Sequence, residues 1–309
     1  MTVYNHVALI GLGLIAGSIS LALRRNGQPV KITGTARSAQ TRQTALDIGL
    51  VDAVFDTAAE AVKGADLVIL AVPIGAMAGI AADIAPHLKT GATVTDVGSV
   101  KSAVIDAVGP HMPKNVHFIP GHPMAGTEKS GPESGFAHLF DNRWCLLTPP
   151  KDTDKNALAK LSEFWQGLGA MVEIMDAKHH DLVAVVISHA PHLIAYTMVG
   201  VADDMSRVTE QEVVNYSAAG FRDFTRIAAS DPTMWRDVFL HNKDATLEVL
   251  GRFTEELFAL QRAIRTGDGD FLFDYFTRTR DVRRSIIDAG QDTDAVDFGR
   301  VAAAETDKK

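Results

Sequence analysis

The chain has 309 residues, 46% hydrophobic and 22% charged, which is the composition of a globular protein with room for two domains. Its formal net charge of −8 argues against nucleic acid or an anionic membrane as a partner, because both need a concentrated basic surface. Cys145 is the only cysteine, which excludes an intramolecular disulfide or a multi-cysteine metal site and points to a reducing, cytoplasmic setting.

The first predicted elements are an apolar strand over Val7–Ile10 and a helix that starts after two alternate glycines, in the spacing Gly-x-Gly-x-x-Ala. Gly11 permits a tight turn, Gly13 lets the backbone approach a pyrophosphate, and Ala16 keeps helix and strand close. The phosphates of a dinucleotide then lie against the N–H groups where the helix opens, at Leu14 and Ile15. Ile15, Ile19 and Leu23 continue at helical spacing. The run from Val7 to Leu23 is uncharged, as a signal-peptide core is, but no Lys or Arg precedes it and glycines interrupt it.

A second strand over Val30–Thr35 ends in Ala36-Arg37-Ser38. A carboxylate about 20 residues beyond the glycines would bind the ribose 2′-hydroxyl of NAD, whereas an arginine suits the 2′-phosphate of NADP. Ala36 stands where the acid belongs, so Arg37 and Ser38 predict NADP as the favoured cofactor with NAD still accepted. Arg37 as a solvated charge, or stacked on adenine, is the plainer reading. The alternation continues with a helix near Ala39–Ile48, a short strand at Val54-Phe55 and a buried strand over Asp66–Pro73. Val72 and Pro73 end that strand at the carboxyl edge, where open α/β sheets place their ligands.

A helix through Ala76–Leu88 leads to a strand over Ala92–Asp96. Ser99, just past it, suits either an N-cap for the next helix or a ligand-facing hydroxyl. The strand Val116–Ile119 then delivers a loop rich in Gly and Pro, Pro120–Gly131, which leaves His122 at the same edge as the nucleotide and Ser99. A lone histidine is more often structural, but this position favours chemistry.

Four motifs occur in order: Gly-Leu-Gly-Leu-Ile-Ala-Gly-Ser (11–18), Ala-Val-Pro-Ile (71–74), Asp-Val-Gly-Ser-Val-Lys (96–101) and Gly-His-Pro-Met-Ala-Gly-Thr-Glu (121–128). With them the chain resembles the prephenate/arogenate (cyclohexadienyl) dehydrogenase family from about Val7 to Asp288. The resemblance includes Leu139-Phe140 and two last strands of the nucleotide domain, Arg143–Thr148 and Met171–Met175. It implies an α/β Rossmann domain with a mostly parallel sheet over 1–175, an all-α substrate and dimerisation domain over 176–290, and a polar tail over 291–309. No residues are left over for a fused mutase or regulatory domain.

Beyond Asp176 the pattern is helical. Asp181, Ser188 and His192 fall near one face by i,i+4 and i,i+7 spacing, and Pro191 predicts a kink. The group His179, His180, Asp181, His189 and His192 lacks the spacing of a common zinc motif, so no metal is expected. The resemblance instead places Ser188 and His192 in the substrate pocket, makes Arg226 the substrate-carboxylate arginine and lines the pocket with Trp235. Spacing alone reads Asp223 and Arg226 as a surface pair. Glu128 is expected at the pocket mouth, or else as a solvated loop charge. Leu247, Leu250, Phe253, Leu257, Leu260 and Ile264 form a three-and-four repeat suited to a core or a subunit contact, and a homodimer through the helical half is implied.

The implied reaction is the NAD(P)-dependent oxidative decarboxylation of prephenate to 4-hydroxyphenylpyruvate, and/or of arogenate to tyrosine, in tyrosine biosynthesis. His122 is expected to accept the hydroxyl proton, with Ser99 orienting either His122 or the hydroxyl, and turnover to fall below about pH 6.5, the ordinary imidazole value. Two rivals remain: another two-domain dehydrogenase of the β-hydroxyacid or imine-reducing type, and a nucleotide-sensing dimer without catalysis. The first usually carries its catalytic Lys or Asp on the second-domain helix, and the second leaves His122, Ser99 and Arg226 without a shared purpose.

Overall fold

The computed structural model describes residues 3–27, 29–127, 129–205, 212, 216 and 218–288. Six parallel strands, β1 (His6–Ile10), β2 (Lys31–Thr35), β3 (Ala53–Val54), β4 (Leu67–Leu70), β5 (Thr93–Asp96) and β6 (His117–Phe118), form a sheet in the order β3-β2-β1-β4-β5-β6. That is the doubly wound order, which reverses direction between β1 and β4 and opens a crevice at their carboxyl ends. The apolar runs are continuous because both faces are covered. Val7 and Leu9 pack with Ile19, Leu23 and Trp165 on one side, while Ala8 and Ile10 pack with Met77, Ala81 and Val104 on the other.

The covering helices are α1 (Leu14–Arg25), α2 (Ala39–Asp47), α3 (Ala58–Ala61), α4 (Ile74–Ile84) and α5 (Lys101–Val108). The helix expected through Leu88 stops at Ile84 and gives way to a 3-10 turn over Ala85–His87, since Pro86 cannot donate to the helical ladder. Strands β7 (Gly121–Pro123), β8 (Trp144–Leu147) and β9 (Met171–Ile174), with α6 (Lys155–Gly167) joining the last two, make a separate three-stranded sheet. In it β7 runs antiparallel to β8, and His122 sits opposite Leu146.

The remainder of the described chain is helical: α7 (Ala177–Ala184), a π turn over Val185–His189, α8 (Ala190–Asp204), α9 (Ala219–Thr225), a 3-10 turn over Arg226–Ala229, α10 (Pro232–His241), α11 (Lys243–Thr266) and α12 (Gly269–Asp288). Among the described residues, the run 177–204 is one helix long and apolar enough to cross a membrane by length and composition. Two compact units result, one through Val249 and one from Leu250 onward. The second, taken by itself, leaves Leu257, Phe258, Ile264, Phe273 and Phe276 exposed. Glu128 and the tail 291–309 lie outside the described residues.

Candidate active site

The first half of the site is a cradle for an anion. Gly11 has φ +99°, and a Cβ there would meet the Ala71 carbonyl oxygen at 2.3 Å, so glycine is required by conformation and by space. A Cβ at Gly13 would meet nothing within 4 Å, which leaves its backbone open to an approaching ligand. Gly13 caps α1 without a side-chain hydrogen bond, and the first turn, starting at Leu14 and Ile15, carries no acid. Unneutralised amides at the end of a 12-residue helix suit a pyrophosphate. Val72 stands beside Gly11, with its Cγ1 3.0 Å from that added Cβ, and Pro73 caps α4.

At the end of β2, Ala36 is half-buried and Arg37 and Ser38 are exposed. The Ser38 hydroxyl caps α2, accepting from the Thr41 amide at 2.9 Å. Arg42 donates to the Ala36 and Arg37 carbonyls at 2.7 and 3.4 Å and pairs with Asp56 at 2.7 Å, which holds this turn in shape.

The second half centres on His122, of which 8% is exposed. Its backbone is gripped through Gly121, whose N–H donates to Asp96 Oδ1 at 3.2 Å and whose carbonyl accepts from Lys101 Nζ at 2.7 Å. Lys101 and Asp96 are fully buried and paired with each other, and Asp96 Oδ2 also accepts the Gly98 amide at 2.8 Å. One ion pair therefore ties the Ser99 loop to the His122 strand. The His122 ring bonds through Nδ1 to His180 Nε2 at 2.9 Å, and His180 Nδ1 donates to Asp181 Oδ1 at 2.9 Å. Asp181 in turn accepts the backbone amides of Lys101 at 2.6 Å and Ser102 at 2.9 Å.

Two expectations about Ser99 change here. The N-cap of α5 is Val100, without a side-chain hydrogen bond, because Asp181 from α7 already satisfies the free amides of that helix. The ring of His122 is oriented by His180 rather than by the half-buried Ser99. The expected fall in turnover near pH 6.5 moves as well. Burial, then the charges of His180, Lys101 and His189, hold the His122 imidazole well below its ordinary value. Burial also raises the Asp181 carboxyl, but hydrogen bonds from His180, Ser102 and Lys101 outweigh it and hold that group ionised, below the usual carboxylate range.

The face expected to carry Asp181, Ser188 and His192 together is broken by the π turn, which inserts a residue and rotates the next helical turns about the axis. The distortion falls directly ahead of Pro191, which has no N–H to return to the preceding turn. Asp181 consequently faces α5, while His192 stacks on Trp235 with ring centroids 3.8 Å apart. His192 Nδ1 donates to the Ser188 carbonyl at 2.9 Å, which leaves its Nε2 as the available atom. Burial lowers the His192 pKa, and so does the charge of Arg226, an exposed residue at the start of its 3-10 turn. His189 links the two clusters. Its Nδ1 lies 3.5 Å from Asn242 Nδ2, which donates to the Asp181 carbonyl at 2.9 Å, and its ring meets Trp235 edge-on at 5.9 Å.

The residues that sequence reasoning missed are Lys101, Asn242 and the pairing of His180 with Asp181. The adjacent His-Asp dipeptide was visible, but the partner of each side chain lies 58 to 80 residues away.

Two family models match the chain: the nucleotide-binding domain of prephenate dehydrogenase over residues 19–174 and the dimerization domain of prephenate dehydrogenase over residues 176–278. A cyclohexadienyl dehydrogenase of Zymomonas mobilis is 40% identical over 286 residues, covering 93% of this chain and 97% of the relative. A prephenate dehydrogenase of Bacillus subtilis is 37% identical over 280 residues, covering 90% and 75%. The crystal structure of prephenate dehydrogenase from A. aeolicus with hydroxyphenyl propionate and NAD+ superposes with a TM-score of 0.84 at 35% identity, covering 91% of this chain and 98% of that one. The glycine turn, the edge histidine and both matched halves agree, and the chain belongs to the prephenate dehydrogenase family of NAD(P)-dependent oxidoreductases.

Proposed function

We propose that the chain converts prephenate to 4-hydroxyphenylpyruvate by oxidative decarboxylation, a step of tyrosine biosynthesis, with His122 accepting the proton of the ring C4 hydroxyl. The nicotinamide, when bound, supplies the acceptor for the C4 hydride. As that hydride leaves, the hydroxyl becomes carbonyl-like and its proton shifts toward His122 Nε2. Loss of the ring carboxylate as CO2 aromatises the ring, and the oxygen regains the proton. The observation that carries this reading is a buried imidazole at the carboxyl edge whose Nδ1 is tied to His180.

Ser99 positions the substrate hydroxyl from its loop. Arg226 holds a substrate carboxylate, a bidentate charge-assisted contact, while Ser188, His192 and Trp235 shape the pocket around the side chain. Arogenate, with an amino group where prephenate has a keto group, is read by the same residues. Gly11, Gly13, Leu14, Ile15, Val72 and Pro73 hold the dinucleotide.

NADP is favoured over NAD. Ala36 offers no acceptor to a ribose 2′-hydroxyl, and Arg37 extends into solvent beside it. A hydrogen bond to a charged group contributes roughly 1.5–3 kcal/mol, about ten- to a hundredfold in affinity. A homodimer forms through the helical half, as the exposed apolar residues of α11 and α12 favour, and sedimentation at one chain mass would exclude it.

The deciding experiment crosses prephenate and arogenate with NAD and NADP on the purified chain. Reduced nicotinamide should accumulate with prephenate, faster with NADP, and Ala36→Asp should reverse the cofactor order. No turnover with either substrate would refute the assignment, and equal use of NAD by the unmodified chain would refute the cofactor preference.

A further inference from the structure

We infer that His180 and Asp181 are positioning residues which set the tautomer of His122, so that its Nε2 meets the substrate as a bare acceptor. This deepens the reading of His122 as the proton acceptor and rests on it.

Three hydrogen-bonded groups share too few protons for more than one arrangement. Asp181 already accepts two backbone amides from the first turn of α5, at 2.6 and 2.9 Å, and so stands at the positive end of a helix. A carboxylate held in this way accepts only. The proton between it and His180 therefore belongs to His180 Nδ1, at 2.9 Å. With one proton on that ring, Nε2 of His180 carries a lone pair. It lies 2.9 Å from His122 Nδ1, which must then donate. With its own single proton committed to Nδ1, His122 presents Nε2 unprotonated. A second proton on His122 occupies Nε2 directly, and one on His180 reverses the bond between the rings and sends the His122 proton to Nε2; either way no acceptor is left for the substrate.

The surroundings of His122 resist a second proton: the ring is buried and faces Lys101 from α5 and His189 from the π turn beside His180, while Asp96 from the end of β5 pairs with Lys101, Asp181 from α7 pairs with His180, and the backbone of His122 bonds to Cys145 on β8. The His180 ring is fully buried and cannot swing out to water. It also packs edge-on against His122, with centroids 5.1 Å apart, so the geometry of the contact is fixed by packing as well as by the hydrogen bond.

The test is 15N NMR of histidine-labelled full-length protein without substrate, with the His122 ring assigned by its loss in His122→Asn. The expected wild-type spectrum shows hydrogen on Nδ1 and none on Nε2. His180→Leu should mix the tautomers and lower kcat by about tenfold or more, with KM for prephenate and cofactor changed less. His180→Gln retains an acceptor and should keep the tautomer and recover most of the turnover. Hydrogen on Nε2 in the wild type overturns the inference, as does a leucine variant with unchanged tautomer and kcat. If the leucine variant does not fold, the wild-type spectrum and the glutamine variant decide. A chain that fails to turn over prephenate while showing the expected tautomer would sink the functional reading alone.

Discussion

A buried imidazole flanked by a second imidazole and a buried ammonium binds a second proton poorly, and this governs what His122 does with pH. In the proposed mechanism the neutral ring is the competent form. Turnover should be complete above the depressed pKa and fall only as pH drops through it, well below 6.5. A kcat profile that breaks near 6.5 would show that His122 is more solvated than its surroundings indicate. His122→Asn should lower kcat by about a hundredfold or more with KM less changed, measured by initial rates of nicotinamide reduction. The role proposed for Arg226 bears on affinity instead. Arg226→Ala should raise KM for prephenate strongly and leave the cofactor Kd alone, and lysine should rescue it only in part, because it lacks the planar fork. Unmoved KM would take Arg226 out of the pocket.

At the scale of elements, backbone contacts assemble the site. The turn into α1 places Gly11 against the carbonyl that ends β4, and no side chain fits there. Gly11→Ala should cost about 1–3 kcal/mol from the strained φ alone, with more from the overlap, and should weaken cofactor binding. Thermal unfolding with and without nucleotide reads both effects; a variant as stable as the parent and still saturable would contradict the turn geometry. The N-terminus of α5 is capped across the fold by Asp181, which joins the relay to the Ser99 loop. The π turn over Val185–His189 allows α7 and α8 to serve different neighbours, with Asp181 facing α5 and His192 facing Trp235.

For the whole molecule, these buried histidines make stability depend on pH. Burial, then the charge of His180, pushes His189 down to about 4, against an ordinary value of 6.5. Since the folded pKa is depressed, the unfolded chain takes up the proton first as pH falls. The contribution is fully present above about 6.5 and is lost progressively as pH falls through about 4, amounting to roughly 3 kcal/mol for His189. His122 adds to it in the same direction. Urea midpoints measured from pH 7.5 to pH 4 should fall steeply across that window, and a flat series would show that both rings take up their protons in the folded protein at the same pH as in the unfolded chain.

Local spacing was sufficient to read the alternation of buried strands and amphipathic helices, the glycine turn at Gly11 and Gly13, and the arrival of His122 at a strand edge. Each of these is a property of neighbouring residues: an apolar run long enough to be covered on both faces, a φ only glycine adopts, a turn forced by Pro and Gly. The tertiary structure decided the rest. It put β8 and β9 into a sheet of their own together with β7, a Gly-His-Pro segment that reads locally as part of a loop. It gave the cap of α5 to Asp181, 79 and 80 residues away in sequence, and not to the adjacent Ser99. It also set His180 on His122 across 58 residues. Hydrogen bonds of that kind depend on which side chains packing brings within about 3 Å, and a linear sequence encodes the donors and acceptors without encoding their meeting.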